Sequence, residues 1–239
     1  MRRVAGALVL GLLLTASGRS SAARTTLRPV VVVSLAAGND HSAARRDQAT
    51  VDRARRFLAR GGVPVGRIRF EVLDRSVLAA VLVELDEAAD PCGTARWRTA
   101  LASLELDRRA LVVVVGGTIR SPIPFTRRAG LTCSPDGGSC SPPGRQAGAV
   151  ILSDRRPVER LDPAIVVVHE IGHAAGLGHA GEPDCCCGGA GASRGGQADV
   201  MQADFLTAAG DVSTGAVTLD DVALTPGQAS RIAAYLGGA

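Results

Sequence analysis

The patterning of this chain predicts an α/β fold on a twisted, mostly parallel sheet, and three observations carry that expectation. Two short runs, Val30 to Leu35 and Leu111 to Val115, are β-branched and almost wholly apolar, as strands buried on both faces are. Helical spacing separates such runs: Val51, Ala54, Phe57 and Leu58 share one helix face between Ser42 and Arg60. Strands that alternate with helices pair in parallel through crossover connections. The 239 residues suit one domain of ordinary size with a sizeable core.

Each element has its own local signal. Pro29 precedes the first strand, and Ala36-Ala37-Gly38-Asn39-Asp40 is a turn into the helix over 42–60, which Gly61-Gly62 ends. Ile68, Phe70 and Val72 alternate with polar neighbours, so Arg67 to Leu73 reads as a strand. Helices are expected over Ser76 to Ala88 and over Thr94 to Leu106. Leu111 to Val115 closes at Gly116-Gly117. From Thr118 to Gln146 the composition shifts to Pro, Gly, Ser and Arg, which predicts a long loop or loose hairpin of the kind that often carries function. Ala147 to Leu152 returns as a strand and, after so long a loop, is the candidate antiparallel edge strand. Asp162 caps and Pro163 opens a helix that runs to Ala175. Glycine-rich irregular chain follows from Gly176 to Asp199, and Thr225-Pro226 opens a last helix ending near Leu236. No internal repeat and no domain linker stands out.

Composition narrows the function classes. With 46% hydrophobic and 21% charged residues the chain is globular in composition, not disordered. No apolar run reaches the ~20 residues of a bilayer span, which excludes a polytopic membrane protein. Met1-Arg2-Arg3, the apolar stretch Val4 to Ala16 and then Ser20-Ser21-Ala22-Ala23 follow the pattern of a secretory signal peptide. Residues 1–23 are therefore expected to be removed, leaving 24–239 outside the cytoplasm with no stable membrane insertion. Every basic residue is Arg; Arg2, Arg3 and Arg19 belong to that leader, and 24 basic residues then stand against 23 acidic ones. That near balance, with 3% aromatics, speaks against a nucleic-acid partner. No motif specifies an oligomeric state.

Six cysteines in an oxidising compartment point to disulfides, and six allow 15 pairings. Cys133 and Cys140 flank Ser-Pro-Asp-Gly-Gly-Ser, a turn sequence that favours their pairing and would stabilise by ~2.5 kcal/mol. Adjacent cysteines resist pairing with one another, so at least one of Cys185, Cys186 and Cys187 is expected to reach Cys92.

The chemistry concentrates in His169-Glu170-Ile171-Gly172-His173-Ala174-Ala175-Gly176-Leu177-Gly178-His179. On a helix, His169 and His173 lie one turn apart on one face, where two imidazoles can bind one Zn²⁺ at ~2.0–2.1 Å. Glu170 sits beside them, placed to hold the metal's water. Gly176 can adopt the backbone conformation that ends a helix and turns the chain, delivering His179 as a third ligand. Three nitrogen ligands leave a fourth position open, the mark of a catalytic zinc site. Three of the four histidines fall in this stretch; His41 has no partner pattern and no assigned role.

H-E-x-x-H-x-x-G-x-x-H is the zinc signature of the metzincin metallopeptidases, and these residues most resemble the matrixin branch and its bacterial relatives. That superfamily has a Met-containing tight turn beneath the zinc, and Asp199-Val200-Met201, 22 residues past His179, looks like it. The resemblance covers about Leu161 to Leu206. It implies an α+β metzincin-like domain, with an upper subdomain 24–178 and a smaller irregular lower subdomain 179–239. It implies Zn²⁺ held by His169, His173 and His179, with Gly176 and Met201 as structural support. It also implies a secreted zinc-dependent endopeptidase acting on protein or peptide substrates. Zinc lowers the pKa of its water, and Glu170 serves as general base and then acid. Extended substrate would add to the edge strand before the helix, here Ala147 to Leu152. The chain departs from the family in places. Ala180 follows the third His, where branches carry a marker residue, and Ala203 stands where some carry Tyr. No cysteine-switch propeptide is visible, and Cys185 to Cys187 lie outside the matrixin pattern. A rival reading places a thiolate from Cys185, Cys186 or Cys187 in the fourth position, giving a closed His₃Cys site in a non-catalytic or latent zinc protein. Glu170, which a structural site does not need, weighs against it.

Overall fold

β-Branched side chains crowd a helix but pack well on a pleated sheet, and the two runs singled out above become the centre of one. The structure, a computed structural model, describes residues 27–36, 41–74, 84–86, 109–115, 118–120, 130–133, 149–152, 161–180, 197–201 and 217–237. In chain order the elements are β1 (Val30–Ala36), α1 (His41–Arg60), β2 (Ile68–Asp74), β3 (Glu84–Asp86), β4 (Leu111–Val115) and β5 (Thr118–Arg120). They continue with β6 (Gly130–Cys133), β7 (Ala149–Leu152), α2 (Pro163–Ala174), β8 (Ala198–Asp199), β9 (Val222–Ala223) and α3 (Pro226–Leu236). Five strands form one sheet in the order β2-β1-β4-β7-β6. β1 is parallel to β2 and β4, β7 is parallel to β4, and β6 runs antiparallel to β7. The fold is thus mixed α/β, with a mostly parallel sheet and an antiparallel edge strand.

That edge is β6, which corrects the assignment of Ala147 to Leu152. β7 lies inside the sheet, with Val113 opposite Val150 on one side and Thr132 opposite Val150 on the other. Its sequence, AVIL, is wholly apolar, as suits a strand with neighbours on both sides. β5 and β6 both fall in the stretch expected to be a long loop or loose hairpin. Each is too short for an alternating pattern to show against Pro- and Gly-rich flanks. The helix expected over Ser76 to Ala88 is corrected at Glu84–Asp86, which form β3 and pair with β5; the rest of that span lies outside the described residues. The helix expected over Thr94 to Leu106, the leader 1–23, Cys92, Cys140, Cys185 to Cys187 and Ala203 lie outside the described residues.

The core forms where α1 and α2 cover one face of the sheet. Val30, Val32, Leu111 and Val113 meet Phe57 and Leu58 of α1, Ile165 and Val168 of α2, and Ile232 and Leu236 of α3. The alternate residues Val31, Val33, Val112 and Val114 are buried as well, so the central strands are covered on both faces. Ser34, fully buried in β1, donates its hydroxyl to Asp47 of α1, so a polar group inside the sheet has its partner. Among the described residues no helix is long and apolar enough to cross a membrane.

Both ends of the described chain meet at Arg28, which is only 2% exposed. Its Nε donates to the Tyr235 carbonyl at 3.0 Å and its Nη1 to the Arg109 carbonyl at 3.1 Å. Its guanidinium stacks 4.6 Å from the centre of the Tyr235 ring. A helix C-terminus leaves carbonyls unsatisfied and favours a cation, and Arg28 supplies one to α3. Arg28→Met is therefore expected to lower the unfolding free energy by about 2–3 kcal/mol, as lost charge-assisted hydrogen bonds do. In urea denaturation the exposed Arg67→Met should change it by less than about 0.5 kcal/mol. Equal midpoints for the two variants would contradict this role.

Candidate metal centre

The site begins with the way α2 ends. Gly176 takes φ 81°, a left-handed conformation that suits glycine, and its N–H reaches the His173 carbonyl at 2.8 Å. The Leu177 N–H reaches the Gly172 carbonyl at 3.0 Å, which completes a Schellman turn. This turn folds the Leu177 carbonyl back onto His173, whose Nδ1 lies 2.8 Å from it. His169 Nδ1 lies 2.9 Å from the Val200 carbonyl in the same way. A carbonyl can only accept, so each Nδ1 carries the proton and each Nε2 keeps its lone pair.

Those lone pairs converge. His173 Nε2 is 3.0 Å from His169 Nε2 and 3.2 Å from His179 Nε2. With both Nδ1 atoms turned to carbonyls, the facing Nε2 atoms are placed to share a cation. A tetrahedral ion with bonds of ~2.0–2.1 Å holds its nitrogens roughly 3.3 Å apart, close to these spacings. The donor set therefore fits a metal ion, and His169, His173 and His179 lie near enough together to hold one. Burial supports this. His169 is 8% exposed, and its pKa is pushed down from 6.5 to about 3, first by lost hydration and then by the neighbouring His173. It stays neutral at neutral pH, as a metal-ligating imidazole must.

Glu170 follows His169 on α2 and is 6% exposed. Strand β6 lies against it. Thr132 Oγ1 is 2.6 Å from Glu170 Oε2 and 2.8 Å from the Glu170 carbonyl oxygen. Gly130, two residues earlier on the same strand face, leaves space for the carboxylate. A Cβ there would lie 2.6 Å from Glu170 Oε1 and 2.7 Å from its Cγ.

Met201 forms the floor. It is fully buried, and its sulfur packs so closely on Gly172 that a Cβ on that glycine would overlap it. Asp199 accepts from the Met201 N–H and from Gln228 Nε2 of α3, both at 2.8 Å. The oxygen of the same Gln228 side chain accepts from the Thr225 N–H at 2.8 Å and helps cap α3. The Ala180 N–H donates to the Met201 carbonyl at 2.8 Å, which ties the His179 turn to this floor. At the far end of α2, Asp162 accepts from the Ala164 N–H at 2.9 Å and from Arg53 of α1 at 3.0 Å. Arg231 of α3 donates to the Ala175 carbonyl at 3.1 Å, so α2 is held at both ends.

The structure thus brings His169, His173 and His179 together, puts Gly176 at the left-handed turn, and sets Met201 under the helix. His41 is exposed at the start of α1. Sequence reasoning missed Thr132 and Gly130, whose trace is a Gly-x-Thr alternation inside a loop-like stretch. It also missed the carbonyls of Leu177 and Val200, which leave no mark in residue type.

The burial of His169 has a pH consequence. Its folded pKa lies below the unfolded value, so the unfolded chain takes up the proton first as pH falls. Metal-free protein is expected to keep full stability from this group above about pH 6.5 and to lose it progressively towards about pH 3. Urea midpoints of chelator-treated protein at about pH 7.5 and about pH 4.5 should differ more for wild type than for His169→Gln. An equal difference would contradict the assignment.

No protein-family model matches this chain, and no curated protein matches it.

Proposed function

We propose that this protein is a secreted zinc metalloendopeptidase of the metzincin type, most like the matrixin branch. In this reading residues 1–23 are a signal peptide, and 24–239 form the working domain, with an upper part 24–178 and a lower part 179–239. One observation supports it above the others. Three histidine nitrogens converge in an arrangement fit for a metal ion, and on the same helix the next residue is a buried, hydrogen-bonded carboxylate, Glu170. A purely structural site has no need of that carboxylate.

Neutral imidazoles suit zinc among the first-row metals. When bound, the ion supplies Lewis acidity to water and to the scissile carbonyl. The protein's own groups do the rest. His169, His173 and His179 hold the ion, two of them oriented by the Val200 and Leu177 carbonyls. Glu170 takes a proton from the attacking water as its oxygen bonds to the carbonyl carbon. It then delivers that proton to the leaving amine as the C–N bond breaks. Met201 supports the floor. The substrate strand passes from Ala147–Leu152 to β6, which among the described residues has a strand neighbour on one side only. Extended protein or peptide substrate would pair there through main-chain hydrogen bonds.

The chain from Arg24 should cleave an unfolded protein substrate and lose that activity with a chelator. Glu170→Ala should keep its zinc and lose roughly 10²–10⁴-fold in rate, the usual contribution of a general base. A zinc-loaded Glu170→Ala protein that cleaves as fast as wild type would overturn the mechanism.

A further inference from the structure

Glu170 does not place itself. A glutamate side chain is among those that lose most rotamer freedom on ordering, so a fixed carboxylate needs groups that hold it. Strand β6 supplies two. The Thr132 hydroxyl lies 2.6 Å from Oε2, a short contact of the charge-assisted kind. The same oxygen lies 2.8 Å from the carbonyl of residue 170 itself. The hydroxyl has one proton to give, to the carboxylate or to the carbonyl, and the shorter contact is the one to the carboxylate. Gly130 acts on the other carboxylate oxygen by leaving room. A Cβ at 130 would meet Oε1 at 2.6 Å, Cγ at 2.7 Å and Val166 Cγ1 at 2.8 Å, so any larger residue would displace the carboxylate. Strand period puts residues 130 and 132 on one face, here the face against α2.

We infer that Thr132 is a positioning residue for Glu170, with Gly130 as the space that lets the carboxylate reach it. This rests on the hydrolase reading, in which Glu170 moves the proton. In that reading β6 also receives the substrate, so one four-residue strand sets both the base and the chain to be cut. General bases work over fractions of an ångström, so a carboxylate loosened from Oγ1 costs rate rather than binding.

The test compares wild type, Thr132→Val, Thr132→Ser and Thr132→Ala as zinc-loaded proteins. It measures kcat and KM on an unfolded protein substrate, zinc content, and the crystal structure of each. Thr132→Val keeps the shape and removes the hydroxyl. Its kcat should fall roughly 10- to 100-fold, the usual cost of losing a group that orients a catalytic residue, with KM and zinc content unchanged. Thr132→Ser should recover most of the rate, and the Glu170 carboxylate should leave its place in the Val and Ala proteins and keep it in the Ser protein. Thr132→Ala gives the same reading if Thr132→Val does not fold. Equal kcat with and without the hydroxyl overturns the proposal. So does a fall that Ser fails to restore, or a carboxylate that keeps its place without the hydroxyl. If wild type holds zinc and cleaves nothing, the hydrolase reading fails. The carboxylate position in the Thr132→Val crystal then decides the positioning claim alone.

Discussion

Two backbone carbonyls govern the site. Val200 O and Leu177 O can accept hydrogen bonds but not donate them, and they face His169 Nδ1 and His173 Nδ1 at 2.9 and 2.8 Å. Each imidazole must put its proton there. The two Nε2 atoms then face each other 3.0 Å apart, placed to share a metal ion. That orientation underlies the fitness of the site for a metal ion. Burial sharpens it, because His169 has lost the water that would otherwise let it protonate.

Much of the surrounding structure serves to keep those carbonyls in place. Leu177 is aimed by the Schellman turn, which needs the left-handed Gly176. Val200 is aimed by the segment around Met201, clamped by Asp199, Gln228 and Ala180. Helix α2 is tied at both ends, Asp162 to Arg53 at one and the Ala175 carbonyl to Arg231 at the other. Arg28 draws the chain before β1 against the end of α3. α3 in turn contributes Gln228 to the floor and Arg231 to α2, so both ends of the described chain bear on the candidate metal centre through one short helix.

Legibility followed range along the chain. The histidines, Gly176 and Met201 were readable because helix period and glycine conformation are local properties, and all lie within 33 residues of one another. The β-branched runs of β1 and β4 were readable because burial on both faces leaves continuous apolar sequence. What escaped depends on distant partners. Thr132 meets Glu170 across 38 residues, and Arg28 meets Tyr235 across 207. β7 passed for an edge because strand order is not written in any one strand. Val81-Leu82-Val83, just before β3, suits a strand as well as a buried helix, and the pairing with β5 decides for Glu84–Asp86.

The proposed hydrolysis depends on an open three-nitrogen centre, which X-ray absorption at the zinc edge of the zinc-loaded chain measures. The expected result is three imidazole nitrogens at ~2.0–2.1 Å, one further light-atom ligand and no sulfur. A sulfur scatterer at ~2.3 Å would contradict it, because a cysteine thiolate would then close the position that catalysis requires.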